Sequence, residues 1–182
     1  KIFKSIMFIQ KNTINYIQDL LFKHTDKIFT KNYIEKYILL IITYIISSKK
    51  KKFIISGSQG VGKSTLLLVI KSVIENIYNK KVMSLSIDDY YLNKKKRIQL
   101  SKKIHPLLET RGVPGTHDLD KISKHIKQFE KKKFPISVPI FDKLKDDLTK
   151  KTNTIKEADI LILEGWCCGC LPIANKYLYK NI

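Results

Sequence analysis

One nine-residue run constrains this chain more than anything else in it: Gly57-Ser58-Gln59-Gly60-Val61-Gly62-Lys63-Ser64-Thr65. It matches the spacing G-x-x-x-x-G-K-[ST] in full. The run follows Phe53-Ile-Ile-Ser56, which reads as a short buried strand. It opens a stretch, 63–78, where Leu66, Leu67, Val69, Ile70, Val73, Ile74 and Ile77 recur at helical spacing. Strand, glycine turn and helix together have a physical purpose. Glycines let the backbone curl so that successive N–H groups face one point. The helix start adds a positive dipole end. Such a turn holds phosphates. Lys63 is placed to reach the outer phosphates of a nucleoside triphosphate, and the Ser64 hydroxyl to ligate Mg²⁺, with Thr65 the next helical residue.

Around this run the chain alternates strand and helix patterns, as a parallel α/β sheet does. Helices are expected over 12–29, 32–47 (mostly buried) and 119–130. Strands are expected at Val82–Ile87 and Ala158–Leu163, and Ile136–Phe141 reads as extended. Residues 93–118 read as a long functional loop, or a short helix followed by one. The expected fold is a parallel sheet flanked by helices with an N-terminal helical extension. Residues 1–48 would form that extension, packed on a core domain at 49–182.

Composition narrows the partners. The 182 residues carry 35 basic and 16 acidic side chains, a net charge of +19. A basic excess raises the question of nucleic acid. Here 33 of the 35 are Lys, and only Arg97 and Arg111 are Arg. Base and phosphate recognition favours Arg forks. With 29 Ile beside the Lys, the excess reads as a compositional bias spread over the chain, and the runs Lys49–Lys52, Lys94–Arg97 and Lys131–Lys133 as solvated faces. A nucleic-acid partner is therefore not expected. The longest apolar run, Tyr37–Ile46, is too short to span a bilayer, and no secretory signal is visible; a cytoplasmic location is the expectation. Cys167-Cys168-Gly-Cys170 lacks the second ligand pair of a zinc site, and its meaning stays open.

Three further features join the glycine turn. Ser86-Ile-Asp88-Asp89-Tyr90-Tyr91 ends the second core strand, where open α/β sheets bind ligands. Asp88 there could take a proton from an attacking hydroxyl, and Tyr91 could wall a substrate site or pack as an ordinary core aromatic. Ile160-Leu-Ile-Leu-Glu164-Gly165-Trp166 is an apolar strand ending in an acid able to support Mg²⁺ and its waters. Arg111-Gly-Val-Pro-Gly-Thr-His117-Asp118 holds one of only two Arg. A guanidinium forks a carboxylate or phosphate as Lys cannot. His117 and Asp118 could bond substrate hydroxyls; Asp118 could instead cap the following helix.

This ordered set, with Pro139-Ile-Phe-Asp142-Lys143, resembles the D-glycerate 3-kinase family, within the phosphoribulokinase, uridine kinase and pantothenate kinase group of P-loop kinases. The likeness covers roughly residues 15–175. It implies transfer of a phosphoryl group from ATP, with Mg²⁺, to a small hydroxy acid, D-glycerate first. Carried over by position, Gly57–Thr65 would hold the ATP phosphates and Asp88 would be the general base. Tyr91, Arg111, His117 and Asp118 would shape the acceptor site, and Glu164 would lie near Mg²⁺. A kinase of a nucleoside, pantothenate or a sugar phosphate is the alternative, as is a truncated ATP-binding protein without catalysis. Two departures stand out. The family pattern runs on to an Asp-Arg pair where this chain reads Asp146-Asp147-Leu148, and the family continues well beyond the Glu-Gly-Trp strand, whereas this sequence stops at Ile182.

Overall fold

The computed structural model describes residues 2–170. Three parallel strands form its central sheet in the order β1 (Lys52–Ser56), β5 (Ile160–Gly165), β2 (Val82–Ser86). Helix α4 (Lys63–Ile77) connects β1 to β2 and buries Leu67, Val69, Ile70, Val73 and Ile74, the stripe expected from their spacing. In front of β1 lie α1 (Ile2–Thr25), α2 (Lys31–Tyr33), a π-helical stretch Ile34–Leu39 and α3 (Leu40–Ser47). Ile17, Ile34 and Ile42 of these helices are fully buried in one cluster with Val69, Ile70 and Ile162. Each such side chain contributes about 1.5–3 kcal/mol of burial.

Three sequence expectations are corrected at this end. The first helix stops at Thr25, because Asp26 takes φ 53; Ile28 lies outside it and is exposed. The stretch 32–47 is amphipathic rather than mostly buried. Ile34, Ile38, Ile42 and Ile45 face the core, while Tyr33, Tyr37, Leu40 and Tyr44 are exposed. β1 pairs only with β5 among the described residues, so Ile54 is 54% exposed and the strand is not fully buried. No helix of the described residues is long and apolar enough to cross a membrane.

On the other side, a 3₁₀ turn (Ile87–Tyr90) follows β2 directly, and α5 (Lys94–Lys103) is capped by Asn93. The 93–118 segment thus takes the helix-then-loop form, with a second 3₁₀ turn at Pro106–Glu109. Helix α6 (Leu119–Glu130) leads to an antiparallel hairpin, β3 (Ile136–Asp142) with β4 (Asp147–Ile155). Sequence periodicity missed β4. Its residues Asp147-Leu-Thr-Lys-Lys-Thr-Asn-Thr-Ile155 are polar and largely exposed, so no apolar alternation marks them. The hairpin, α6 and the 3₁₀ turn share a second core built on Met83, Leu85, Phe129, Ile136 and Leu161.

Gly165, at the end of β5, is fixed by packing. A Cβ there would press on Ile87 Cγ2 and lie 2.7 Å from Cys168 Sγ. Gly165→Ala is expected to cost about 1–3 kcal/mol through overpacking. That lowers the thermal midpoint by roughly 2–12 °C, at about 2–4 °C per kcal/mol in a chain of this size. Thermal unfolding followed by circular dichroism checks it, and an unchanged midpoint contradicts the packing argument.

Candidate active site

The turn between β1 and α4 gets its shape from Gly60 at φ 77 and Gly62 at φ 87, left-handed conformations that cost other residues steric strain. Gly62 caps α4 with no side-chain hydrogen bond, and its carbonyl accepts from Leu66 N–H at 2.9 Å. The first-turn N–H groups of the helix are thus without a side-chain cap, as an anion-binding turn requires. Lys63 Nζ donates to the Ser58 carbonyl at 2.7 Å, folding the ammonium back over the turn. Beside the turn lies a cleft of about 550 Å³. Gln59, Gly60, Gly62, Lys63, Ser64 and Thr65 line one side of it. Asp88, Tyr91, Arg111, Lys143, Glu164 and Trp166 line the other. Gly57, Ser58 and Val61 complete the turn without lining the cleft.

Parallel register sets the acid on the sheet side. Glu164 is flanked by Ile55 and Ser86 on the neighbouring strands and is almost fully buried. Its Oε1 accepts from Ser86 Oγ at 2.6 Å and from Ser64 Oγ at 3.2 Å. A hydroxyl and a carboxylate from two elements thus meet at the mouth of the turn. These are hard oxygen donors, suited to Mg²⁺. Among the described residues no group of three or more His, Cys, Asp or Glu could hold a metal alone. A sparse protein ligand set completed by phosphate oxygens and water is the usual arrangement for Mg²⁺.

Asp88 projects from the 3₁₀ turn after β2. Its Oδ2 accepts from Lys143 Nζ at 2.9 Å and its Oδ1 from Tyr91 O–H at 3.0 Å. Burial raises its pKa, but the Lys143 bond and charge, with the Tyr91 hydroxyl, outweigh that and hold the carboxyl below its ordinary value. Asp89 points the other way, toward Phe141 N–H at 3.3 Å, and burial raises its pKa. Two adjacent carboxyls are thereby driven apart by environment, and only Asp88 faces the cleft.

The Arg111–Asp118 loop begins at the cleft, which Arg111 and Gly112 line. It is tied to the Tyr90–Leu92 backbone by Leu92 N–H to Thr116 O (2.8 Å) and Asp118 N–H to Tyr90 O (2.7 Å). His117 stacks on Tyr91, ring centroids 4.4 Å apart, just behind the cleft wall. Burial lowers the His117 pKa, against a smaller opposing pull from Asp88, and Nε2 is buried with no partner among the described residues. Asp118 is not brought to the cleft. Its carboxylate caps α6, accepting from Lys121 N–H at 3.0 Å.

Arg97 overturns the reading of Lys94–Arg97 as a solvated face. Its side chain is fully buried, donating to the carbonyls of Leu92, Glu109 and Asp146 and to Asp146 Oδ2 at 2.9 Å. Arg111 Nη1 meets the other oxygen of the same carboxylate at 2.7 Å. Both Arg of the chain therefore converge on Asp146, and both lie over the Phe141 ring. Sequence reasoning missed Arg97 and Asp146 as the support of Arg111. It also missed Lys143 and Trp166 as cleft residues. The scarcity of Arg was the one available signal for the first pair; for Lys143 the signal was its place in the Pro139-Ile-Phe-Asp142-Lys143 run, to which no role was assigned.

No protein-family profile matches the chain. Individual proteins do. It is 33% identical over 130 residues to an uncharacterized kinase, mug58, of Schizosaccharomyces pombe, covering 65% of this chain and 47% of that one. It is 32% identical over 125 residues to pantothenate kinase of Mannheimia succiniciproducens, covering 68% of this chain and 36% of that one. In three dimensions it matches D-glycerate 3-kinase from Cryptococcus neoformans with a TM-score of 0.64 and 28% identity, over 79% of this chain and 54% of that structure. The chain spans less than half the length of the two relatives matched by sequence. The strand, glycine turn and helix, with the acid-tipped strand beside them, thus occur in a chain homologous to the P-loop kinases that include D-glycerate 3-kinase and pantothenate kinase.

Proposed function

We propose that this chain carries the nucleotide and acceptor sites of an ATP-dependent kinase whose acceptor is a hydroxyl of a small carboxylic acid, D-glycerate first. The observation that carries this is the convergence of Lys63, Ser64 and Glu164 with Asp88 and Arg111 on one cleft. The turn amides and Lys63 bind and orient the triphosphate. Mg²⁺, when bound near Ser64 and Glu164, neutralises charge on the phosphate oxygens. Asp88 accepts the proton of the acceptor hydroxyl. Arg111 donates through one Nη to Asp146, which leaves the rest of its fork for the acceptor carboxylate. The cysteines take no part in this reading.

Pantothenate is the second acceptor to test, because it too combines a hydroxyl with a carboxylate and a pantothenate kinase is among the relatives. A coupled assay of ADP release over D-glycerate, pantothenate, uridine and a sugar phosphate, with ATP and Mg²⁺, decides between them. Turnover of glycerate, absent with uridine, is the expected result. Turnover of uridine but not glycerate overturns the acceptor assignment. ATP binding with no ADP release on any acceptor overturns catalysis and leaves a nucleotide-binding chain.

A further inference from the structure

Among the described residues three cations line the cleft, and each is tied to a different anchor. Lys63 is held by a backbone carbonyl, Arg111 by Asp146, and Lys143 by Asp88. Of these three, Lys143 is the one paired with the carboxylate that the kinase reading makes the proton acceptor. Its side chain is 62% exposed, on the turn that joins β3 to β4. A four-carbon stem on such a turn can reach a new anion without breaking core packing.

We propose that Lys143 is a catalytic residue, handed from Asp88 to the transferring phosphoryl group as Asp88 takes the proton. This rests on the kinase reading above. The balance is simple. The acceptor O–H proton moves to an Asp88 carboxylate oxygen, and the acceptor oxygen forms the new bond to phosphorus. The bond from phosphorus to the bridging oxygen breaks, its electron pair staying on ADP; Asp88 later returns the proton to water. Before the step, the carboxylate and ammonium cancel. After it, Asp88 is neutral and the ion pair has lost its anion. The ammonium is released as the phosphoryl oxygens need it, so the stabilisation is stronger in the transition state than in the resting site.

Other groups also face Asp88: Asp89 and Tyr91 from its own segment, His117 from the loop before α6, and Cys167 from the end of β5. None of them is a cation whose only role is to pair with it, which makes Lys143 the side chain to change.

The test uses the full chain with Lys143→Met and Lys143→Arg. Calorimetry compares ADP with ADP plus aluminium fluoride, both with Mg²⁺ and D-glycerate, the fluoride standing in for the transferring group. Lys143→Met is expected to weaken the fluoride complex about tenfold or more with ADP affinity unchanged, as a contact made only to the transferring group requires. Lys143→Arg is expected to restore most of it. An equal loss for both ligands, or no loss for either, overturns the handover and leaves an ordinary surface ion pair. A parent chain that binds neither ligand fails the kinase reading and this assignment with it. A carboxyl ¹³C titration separates the two failures. The Asp88 resonance titrates at higher pH in Lys143→Met regardless of nucleotide, and an unmoved titration overturns the ion pair itself.

Discussion

Lys63→Ala is expected to lower ADP release by roughly 10³-fold, the upper range for removing one preorganised donor from a charged transition state, and to weaken ATP binding. The geometry of the turn gives the reason. Its curl is set by Gly60 and Gly62, not by Lys63. The variant therefore keeps the loop and loses one ammonium. That ammonium folds back onto Ser58 O at 2.7 Å, over the amides that would face the phosphates. An incoming triphosphate replaces a neutral carbonyl with an anion as its partner, a stronger hydrogen bond. The thermal midpoint should stay within a degree or two, since Lys63 is only half-buried and its ammonium bonds a loop carbonyl. ATP calorimetry and coupled ADP release measure the two effects. Parental turnover in Lys63→Ala would remove the basis for the nucleotide site. Retained DNA affinity in the same variant, with a steep salt dependence, would instead favour the Lys excess as a nucleic-acid surface.

How far the residues foretold the structure depended on how local the cause was. The glycine turn was legible because its chemistry is contiguous: left-handed glycines, a helix start and a lysine lie within nine positions. The α4 stripe was legible for the same reason, its period being set by one helix. Glu164 could be placed at a strand end, but its partner Ser86 depends on parallel register between strands 78 residues apart, and Ser64 reaches it from the start of α4. Polar β4 was invisible because it packs on one neighbour and buries little. Arg97 misled because it stands in a Lys run. A guanidinium can be buried when three carbonyls and a carboxylate surround it, and those came from three separate segments, around Leu92, Glu109 and Asp146. Asp118 read as a substrate ligand, with a helix cap as the alternative, and in the structure its carboxylate caps α6.

Asp88→Asn is expected to slow the chemical step by about 10²–10⁴-fold, the range for a positioned general base, while ATP affinity stays near that of the parent. Asn keeps the volume and can still accept from Tyr91 O–H, so the cleft wall and the Tyr91–His117 stack persist. What it cannot do is take a proton. The pH profile separates this from a structural effect. The Asp88 pKa lies below its ordinary value in the folded chain. The ionised base therefore persists as pH falls, and kcat/KM drops only when pH passes through that depressed value. The stability contributed by the Lys143 pair follows the same sign, present above the unfolded pKa and lost below the folded one. A base so depressed is weak. Phosphoryl transfer asks more for positioning and charge stabilisation than for basicity, so a weak base suffices. Single-turnover kinetics should show slow transfer from bound ATP and no acid limb assignable to residue 88. Parental rates in Asp88→Asn, or an acid limb that stays where it was, would move the proton to another acceptor. Asp89 is excluded from that role by geometry, since its carboxylate is turned onto the β3 backbone, away from the cleft.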